Sequence, residues 1–270
     1  MTAHSRVMEQ NEPVISARDL RVQYGEREIL HGISFDVRPR ETLAILGGSG
    51  SGKSTLLRTM VGLERPTSGS IRVHGTDLAK ASNTELDAVR KKIGLSFQGG
   101  ALIGSMTVGE NVALPLLEHT DLEPSTIEVM VRIKLQQVGL IKFQHFMPSQ
   151  LSGGMKKRAA LARAMAMDPE ILFFDEPSAG LDPVIAAGID DLILNLKQAL
   201  AVTIVVVTHE LASAFLIADR IIVLDAGHIL ADAPPDELRK SAHPRIQRML
   251  NRVADTETGD DVDHLKLFTE

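Results

Sequence analysis

Apolar and polar residues alternate in two different rhythms along this chain. Val14–Val22 alternates loosely with a period of two and predicts a strand. Ile33–Val37 and Thr42–Leu46 predict two more, the second almost wholly apolar, as a parallel strand buried on both faces should be. A glycine-rich turn follows, then a helix over Lys53–Leu63 that Pro66 and Gly69 bring to an end. Ser70–His74 and Ile93–Phe97 predict short strands. From Gly99 to Met167 the rhythm is helical, with Val108, Val112 and Leu116, then Ile127, Val131, Leu135 and Val138 on single faces. Strand-like runs return at Ile171–Phe174, Thr203–Val207 and Arg220–Leu224, separated by helical stretches. Strands alternating with helices predict a mainly parallel sheet of the α/β class, here interrupted by a mostly helical insert. A last helix is expected over His243–Val253.

Composition narrows this picture in a few places. With 270 residues, 44% of them apolar, the chain can bury a substantial core. No apolar run reaches the roughly 18 residues that a membrane-spanning helix needs, and the opening MTAHSRVMEQNEP is not expected to be a secretory signal. The absence of cysteine excludes disulfides and thiolate metal sites. A net charge of −6 argues against a nucleic-acid partner held by charge alone. Most of that charge lies in residues 253–270, where six carboxylates face one lysine, so the acidic tail is a feature of its own.

Three motifs carry chemistry. Gly47-Gly48-Ser49-Gly50-Ser51-Gly52-Lys53-Ser54-Thr55 fits a phosphate-binding loop, and it lies between an apolar strand and a helix. Its glycines let backbone N–H groups turn inward around phosphate oxygens, and the following helix adds its positive end. Lys53 is placed to reach the β- and γ-phosphates of ATP, and Ser54 to ligate Mg²⁺. Ile171-Leu172-Phe173-Phe174-Asp175-Glu176 is an apolar strand that delivers two carboxylates at its C-terminal edge. Asp175 suits Mg²⁺, directly or through water, and Glu176 suits a general base acting on the attacking water. Ser152-Gly153-Gly154 opens a further helix with a good N-cap, a second anion-binding start about 100 residues from the first.

In this order, the three motifs resemble the ABC ATPases over roughly residues 14–238. The resemblance implies a RecA-like core with an antiparallel β subdomain (14–98 and 168–238), a helical signature subdomain (99–167) and a C-terminal extension with the acidic tail (239–270). It also implies roles for smaller features. Gln98 matches the glutamine that touches Mg²⁺ and the transport partner, Ser178–Asp182 the loop beside the dimer interface, and His209 the histidine that contacts the γ-phosphate. Tyr24, the chain's only tyrosine, matches the aromatic residue stacked on adenine. Two copies of the chain would pair head to tail, Ser152 and Gly154 of one closing on the nucleotide held by the other.

Met155, with Lys156–Arg163 behind it, and the stretch Gly99–Val108 are similar to the Mla/MCE group of bacterial phospholipid-transport ATPases. That similarity implies a peripheral subunit on the cytoplasmic face of the inner membrane, bound to a permease, with an MCE-type protein and a STAS-domain subunit as further partners. An ATPase for amino acids or metals, and a soluble ABC ATPase not engaged in transport, remain the alternatives.

Overall fold

The structure is a computed structural model and describes residues 12–251; the acidic tail and the end of the expected last helix lie outside the described residues. Strand β3 (Thr42–Leu46) is buried along its whole length. It pairs in parallel with β8 (Thr203–Thr208) on one side and β9 (Arg220–Asp225) on the other. Beyond β8 lie β7 (Ile171–Asp175) and β6 (Ile93–Ser96), also parallel. β10 (His228–Ala233) closes the opposite edge antiparallel to β9, giving the order β10-β9-β3-β8-β7-β6. A second sheet is antiparallel: β2 (Arg27–Val37), β1 (Ile15–Tyr24), β4 (Ser68–Val73) and β5 (Thr76–Asp77).

Side chains alternate across a strand, and this decides what each face of the parallel sheet meets. Leu43, Ile45, Phe173, Val205, Val207 and Ile222 join one core with β1, β2, β4 and helix α1 (Lys53–Met60), which lies between the two sheets. Helix α2 (Asn83–Arg90) seals that core with Leu86 and Val89. Leu172, Phe174, Ile204 and Val206 point the other way, into a core built with α3 (Val108–His119), α4 (Pro124–Gln137), α5 (Gly153–Ala164) and α6 (Pro183–Leu200). Ala44, Leu46, Ile221 and Val223 share that face and meet α7 (Leu211–Ile217), α8 (Pro235–Arg239) and α9 (Pro244–Leu250). Both faces are covered, which is why these strands read as continuous apolar runs.

The architecture is the α/β fold expected, with departures of detail. β2 begins at Arg27, well before Ile33, because a turn at Gly25 pairs Tyr24 with Arg27. The helix after the phosphate loop ends at Met60, where Val61 and Gly62 leave helical geometry. α2 and β10 were not anticipated. α2 is started by a reciprocal cap in which Ser82 Oγ accepts from the Glu85 N–H and the Glu85 carboxylate from the Ser82 N–H. β10 turns back on β9 through Ala226 and Gly227, both in left-handed conformation.

Phe174 is fully buried at the contact between sheet and helices. Phe174→Ala is expected to cost about 3–5 kcal/mol of unfolding free energy, measured by urea denaturation of the nucleotide-free chain.

Candidate nucleotide site

Register brings the chemistry to one edge. Leu46 lies opposite Thr208, and Asp175 opposite Val207, so β3, β8 and β7 end together at their C-terminal side. The loop 47–52 leaves β3 there, Glu176 follows β7, and His209 follows β8. Open α/β sheets bind ligands at such an edge.

Four other helices are closed by a side chain at their start: α2 by Ser82, α3 by Thr107, α5 by Ser152 and α6 by Asp182. α1 has no side-chain cap and no acidic residue in its first turn. Its N-cap, Gly52, sits at φ 101°, a conformation that a side chain would strain. A helix start left open in this way offers N–H groups and a positive dipole end to an anion. The buried hydroxyl of Ser51 in the same loop has no hydrogen-bond partner among the described residues. Both observations fit a loop shaped for phosphate. Lys53 folds back so that Nζ donates to the carbonyls of Gly47 and Gly48 at 2.8 Å each, and its pKa is lowered by burial against the pull of Glu176 and Asp175. A cavity of about 230 Å³ opens on Gly50–Thr55 and is completed by Arg27 and Ile29. A larger one, about 450 Å³, is lined by Gly47–Ser51 and by Arg245, Arg248 and Met249 of α9. The smaller cavity is the one that contains Lys53 and Ser54, and so the chemistry.

Glu176 is buried and adopts φ 50°, left-handed geometry that costs a non-glycine residue energy and is found where function demands it. Its N–H donates to Val207 at 2.8 Å. Its Oε2 accepts from the Thr208 hydroxyl at 3.1 Å and the His209 N–H at 3.4 Å, and Oε1 lies 2.8 Å from His209 Nδ1. Asp175, half-buried beside it, has its pKa raised first by burial and then by the Glu176 charge; Arg58, Lys157 and Lys53 pull it back.

Ser54 and Gln98 are exposed, and Thr55 is buried in the first turn of α1. Tyr24 ends β1, exposed, with its hydroxyl donating to Glu64 at 3.0 Å. Ser152 and Gly153 are exposed at the start of α5. Ser152 Oγ accepts from the Met155 N–H at 3.3 Å. Gly154 is tucked against Ile185, where a Cβ would come within 2.5 Å of its Cγ2. The structure thus brings Lys53, Asp175, Glu176 and His209 together. Two partners of Glu176 were not anticipated: Thr208, which bonds its carboxylate, and Lys157, whose ammonium donates to its carbonyl at 2.8 Å. Lys157 falls in helical phase with the buried Leu161 and Ala164, and a cation within an apolar stripe was the available signal.

The fold and this site define a phosphate-loop nucleotide-binding ATPase. The ABC transporter family profile matches residues 30–179. The chain is 41% identical, over 90% of both lengths, to the intermembrane phospholipid transport system ATP-binding protein MlaF of Escherichia coli strain K12. It is 40% identical to the probable ribonucleotide transport ATP-binding protein mkl of Mycobacterium leprae, over 88% of this chain and 68% of that one. Among solved structures it superposes with a TM-score of 0.75 and 31% identity on the ATP-binding cassette MJ0796 in a dimeric post-hydrolysis state bound to ADP and Pi, covering 82% of this chain and 98% of that one. The chain belongs to the ABC transporter family and is an ATP-hydrolysing cassette of it.

The raised Asp175 pKa has a consequence for stability. Below the ordinary aspartate pKa, folded and unfolded chains are both protonated and nothing is lost. As pH rises, the unfolded chain ionises more readily, so the folded state is penalised. Asp175→Asn is therefore expected to raise the stability of the nucleotide-free chain at pH 7 relative to wild type, and to do so less at pH 4. Urea denaturation at the two values checks the sign.

Proposed function

We propose that this chain energises phospholipid transport across a bacterial envelope, as a peripheral subunit on the cytoplasmic face of the inner membrane. The observation that carries the reading is the convergence of Lys53, Asp175, Glu176 and His209 at the open start of α1, in a chain whose likeness to MlaF runs almost end to end. Among the described residues no helix is long and apolar enough to cross a membrane, so the translocation path would belong to a separate permease. A cleft of about 490 Å³, lined by apolar Ile93, Phe97, Ile103, Leu114 and Met167 and by charged Arg90, Lys91, Glu118 and Arg163, would seat a cytoplasmic helix of that permease. An MCE-type protein and a STAS-domain subunit would complete the assembly. We divide the chain into an ATP-binding core (14–98 and 168–238), a helical signature subdomain (99–167) and a C-terminal extension (239–270).

In this reading the backbone of Gly47–Gly52 cradles the phosphates of ATP. Lys53 leaves the carbonyls of Gly47 and Gly48 for the β- and γ-phosphates. Tyr24 would exchange its bond to Glu64 for the face of adenine. Mg²⁺ would be held by Ser54, Asp175 and Gln98. A hydroxyl, a carboxylate and an amide oxygen are hard donors of the kind Mg²⁺ takes, with phosphate and water oxygens completing its shell. When bound it supplies positive charge against the phosphates. Glu176 orients the attacking water and accepts its proton. The bonds from Thr208 and His209 hold that carboxylate in place, and His209 would swing from Glu176 to the γ-phosphate. Ser152, Gly153 and Gly154 of a second copy would close over the same nucleotide, since Ser152 and Gly153 are exposed at the start of α5.

The full tagged chain, recovered from detergent-solubilised membranes, is expected to bring a multispan permease and bound phospholipid with it. Glu176→Gln is expected to remain in that complex while losing about a hundredfold or more in ATP turnover. Recovery with ribosomes, DNA or ribonucleotide cargo instead would contradict the lipid reading, and unchanged turnover would contradict the base.

A further inference from the structure

Helix α5 joins two parts of the site that are far apart in sequence. It begins at Ser152, facing outward, and five residues later, about 7.5 Å along its axis, it carries Lys157. That side chain is 8% exposed. A buried ammonium needs compensation, and no carboxylate of the described residues lies within ion-pair distance of it. Two main-chain carbonyls take that place. One belongs to Glu176, at 2.8 Å, and the other to Gln98. Lys157 therefore holds, with one charged group, the backbone of the general base and the backbone of the glutamine turn.

The turn is tied to the same helix a second time. Arg163 donates to the carbonyls of Gly100 and Ala101, at 2.7 Å each. Gly100 of the turn is buried and faces Ala160 of α5. Segment 98–101 must then follow α5 in any rigid displacement. Glu176 is tied to α5 through Lys157 and to β8 through Val207, so its left-handed backbone is held between the two, and a displaced α5 would pull on it through that carbonyl.

We propose that Lys157 is a positioning residue that links the start of α5, where a second copy's nucleotide would dock, to the orientation of this copy's own Glu176 and Gln98. The proposal rests on the ATPase reading above, with Glu176 as base and Ser152–Gly154 acting on the partner's nucleotide. A helix displaced by a ligand at its first turn would carry Lys157 with it and pull two loops of its own site at once. Charge and reach are both needed: the ammonium bonds two carbonyls that face it from different segments, whereas a methionine of similar length would keep the packing and lose both bonds.

The test uses the full chain with Mg-ATP, measuring kcat and KM for ATP on wild type, Lys157→Met, Lys157→Arg and Glu176→Gln, with thermal melting recorded for each. Lys157→Met is expected to lose about tenfold or more in kcat with KM within about twofold, the pattern of a group that acts on the transition state. Lys157→Arg, which keeps the charge and several donors, is expected to recover to within about threefold of wild type. Where Lys157→Met does not fold, Lys157→Gln replaces it, with an expected kcat between those of wild type and Glu176→Gln. Wild-type kcat in Lys157→Met or its replacement, a change confined to KM, or Lys157→Arg as impaired as Lys157→Met would overturn the proposal while leaving the ATPase reading intact, provided that Glu176→Gln is inactive. An active Glu176→Gln would instead remove the base assignment on which the proposal rests.

Discussion

The first turn of α1 begins without a side-chain cap, while α2, α3, α5 and α6 each have theirs. An open helix start is costly unless a ligand or solvent takes up its N–H groups. The neighbouring features are arranged around this one. Gly52 at φ 101° turns the chain into the helix, and Lys53 is folded back onto loop carbonyls. The whole sits at the edge where β3, β8 and β7 end in register. The sandwich of α1 between two sheets, with Leu56, Leu57 and Met60 buried, fixes that helix start relative to the strand ends. The apolar core is thus what aims a set of backbone dipoles.

Around that start lie four charges that would be unstable one by one. Burial lowers the pKa of Lys53 and of Lys157 and raises that of Asp175, so each is pushed toward its neutral form. Their mutual attraction, with Glu176 as the fourth member, works against that push. Lys53 belongs to the phosphate loop, Asp175 and Glu176 to the end of β7 and the residue after it, and Lys157 to α5, so these charges tie three segments together. A polyphosphate adds negative charge beside Lys53, whose ammonium is otherwise spent on the carbonyls of Gly47 and Gly48, and so favours redirecting it. Glu176 keeps its strained backbone through this because the Val207, Thr208 and Lys157 bonds over-determine it.

Local chemistry was legible in the sequence where it coincides with local pattern. The phosphate loop announces itself because an apolar strand, the glycine spacing and a helix follow one another directly over residues 42–60. Phe173 and Phe174 together predict a strand buried on both sides, and they do point into different cores. The S-x-x-E cap at Ser82–Glu85 is written in the sequence, but the eight-residue helix that it starts has too short an apolar period to stand out. β10 shows no period of two to read: Ile229, Leu230 and Ala231 of this edge strand are half-buried in a row, between exposed His228 and Asp232. The Lys157 bonds could not be read at all, since the carbonyls that hold it come from segments 59 and 19 residues away, and only the tertiary fold brings them together. Thr208 is a comparable case, a strand-end hydroxyl whose partner is set by the register of β7 against β8.

In the proposed head-to-tail pair each chain supplies half of two composite sites. The chain contains no cysteine, so a pair of introduced ones reports cleanly. Ser49→Cys in the phosphate loop and Ser152→Cys at the start of α5, combined with Glu176→Gln to hold ATP unhydrolysed, place thiols on the two faces that would meet across a head-to-tail pair. Mild oxidation with Mg-ATP present should give a disulfide-linked species of twice the chain's mass, absent without nucleotide and absent when either cysteine is omitted. A chain that stays single under those conditions, or that links equally with and without ATP, would contradict the shared site.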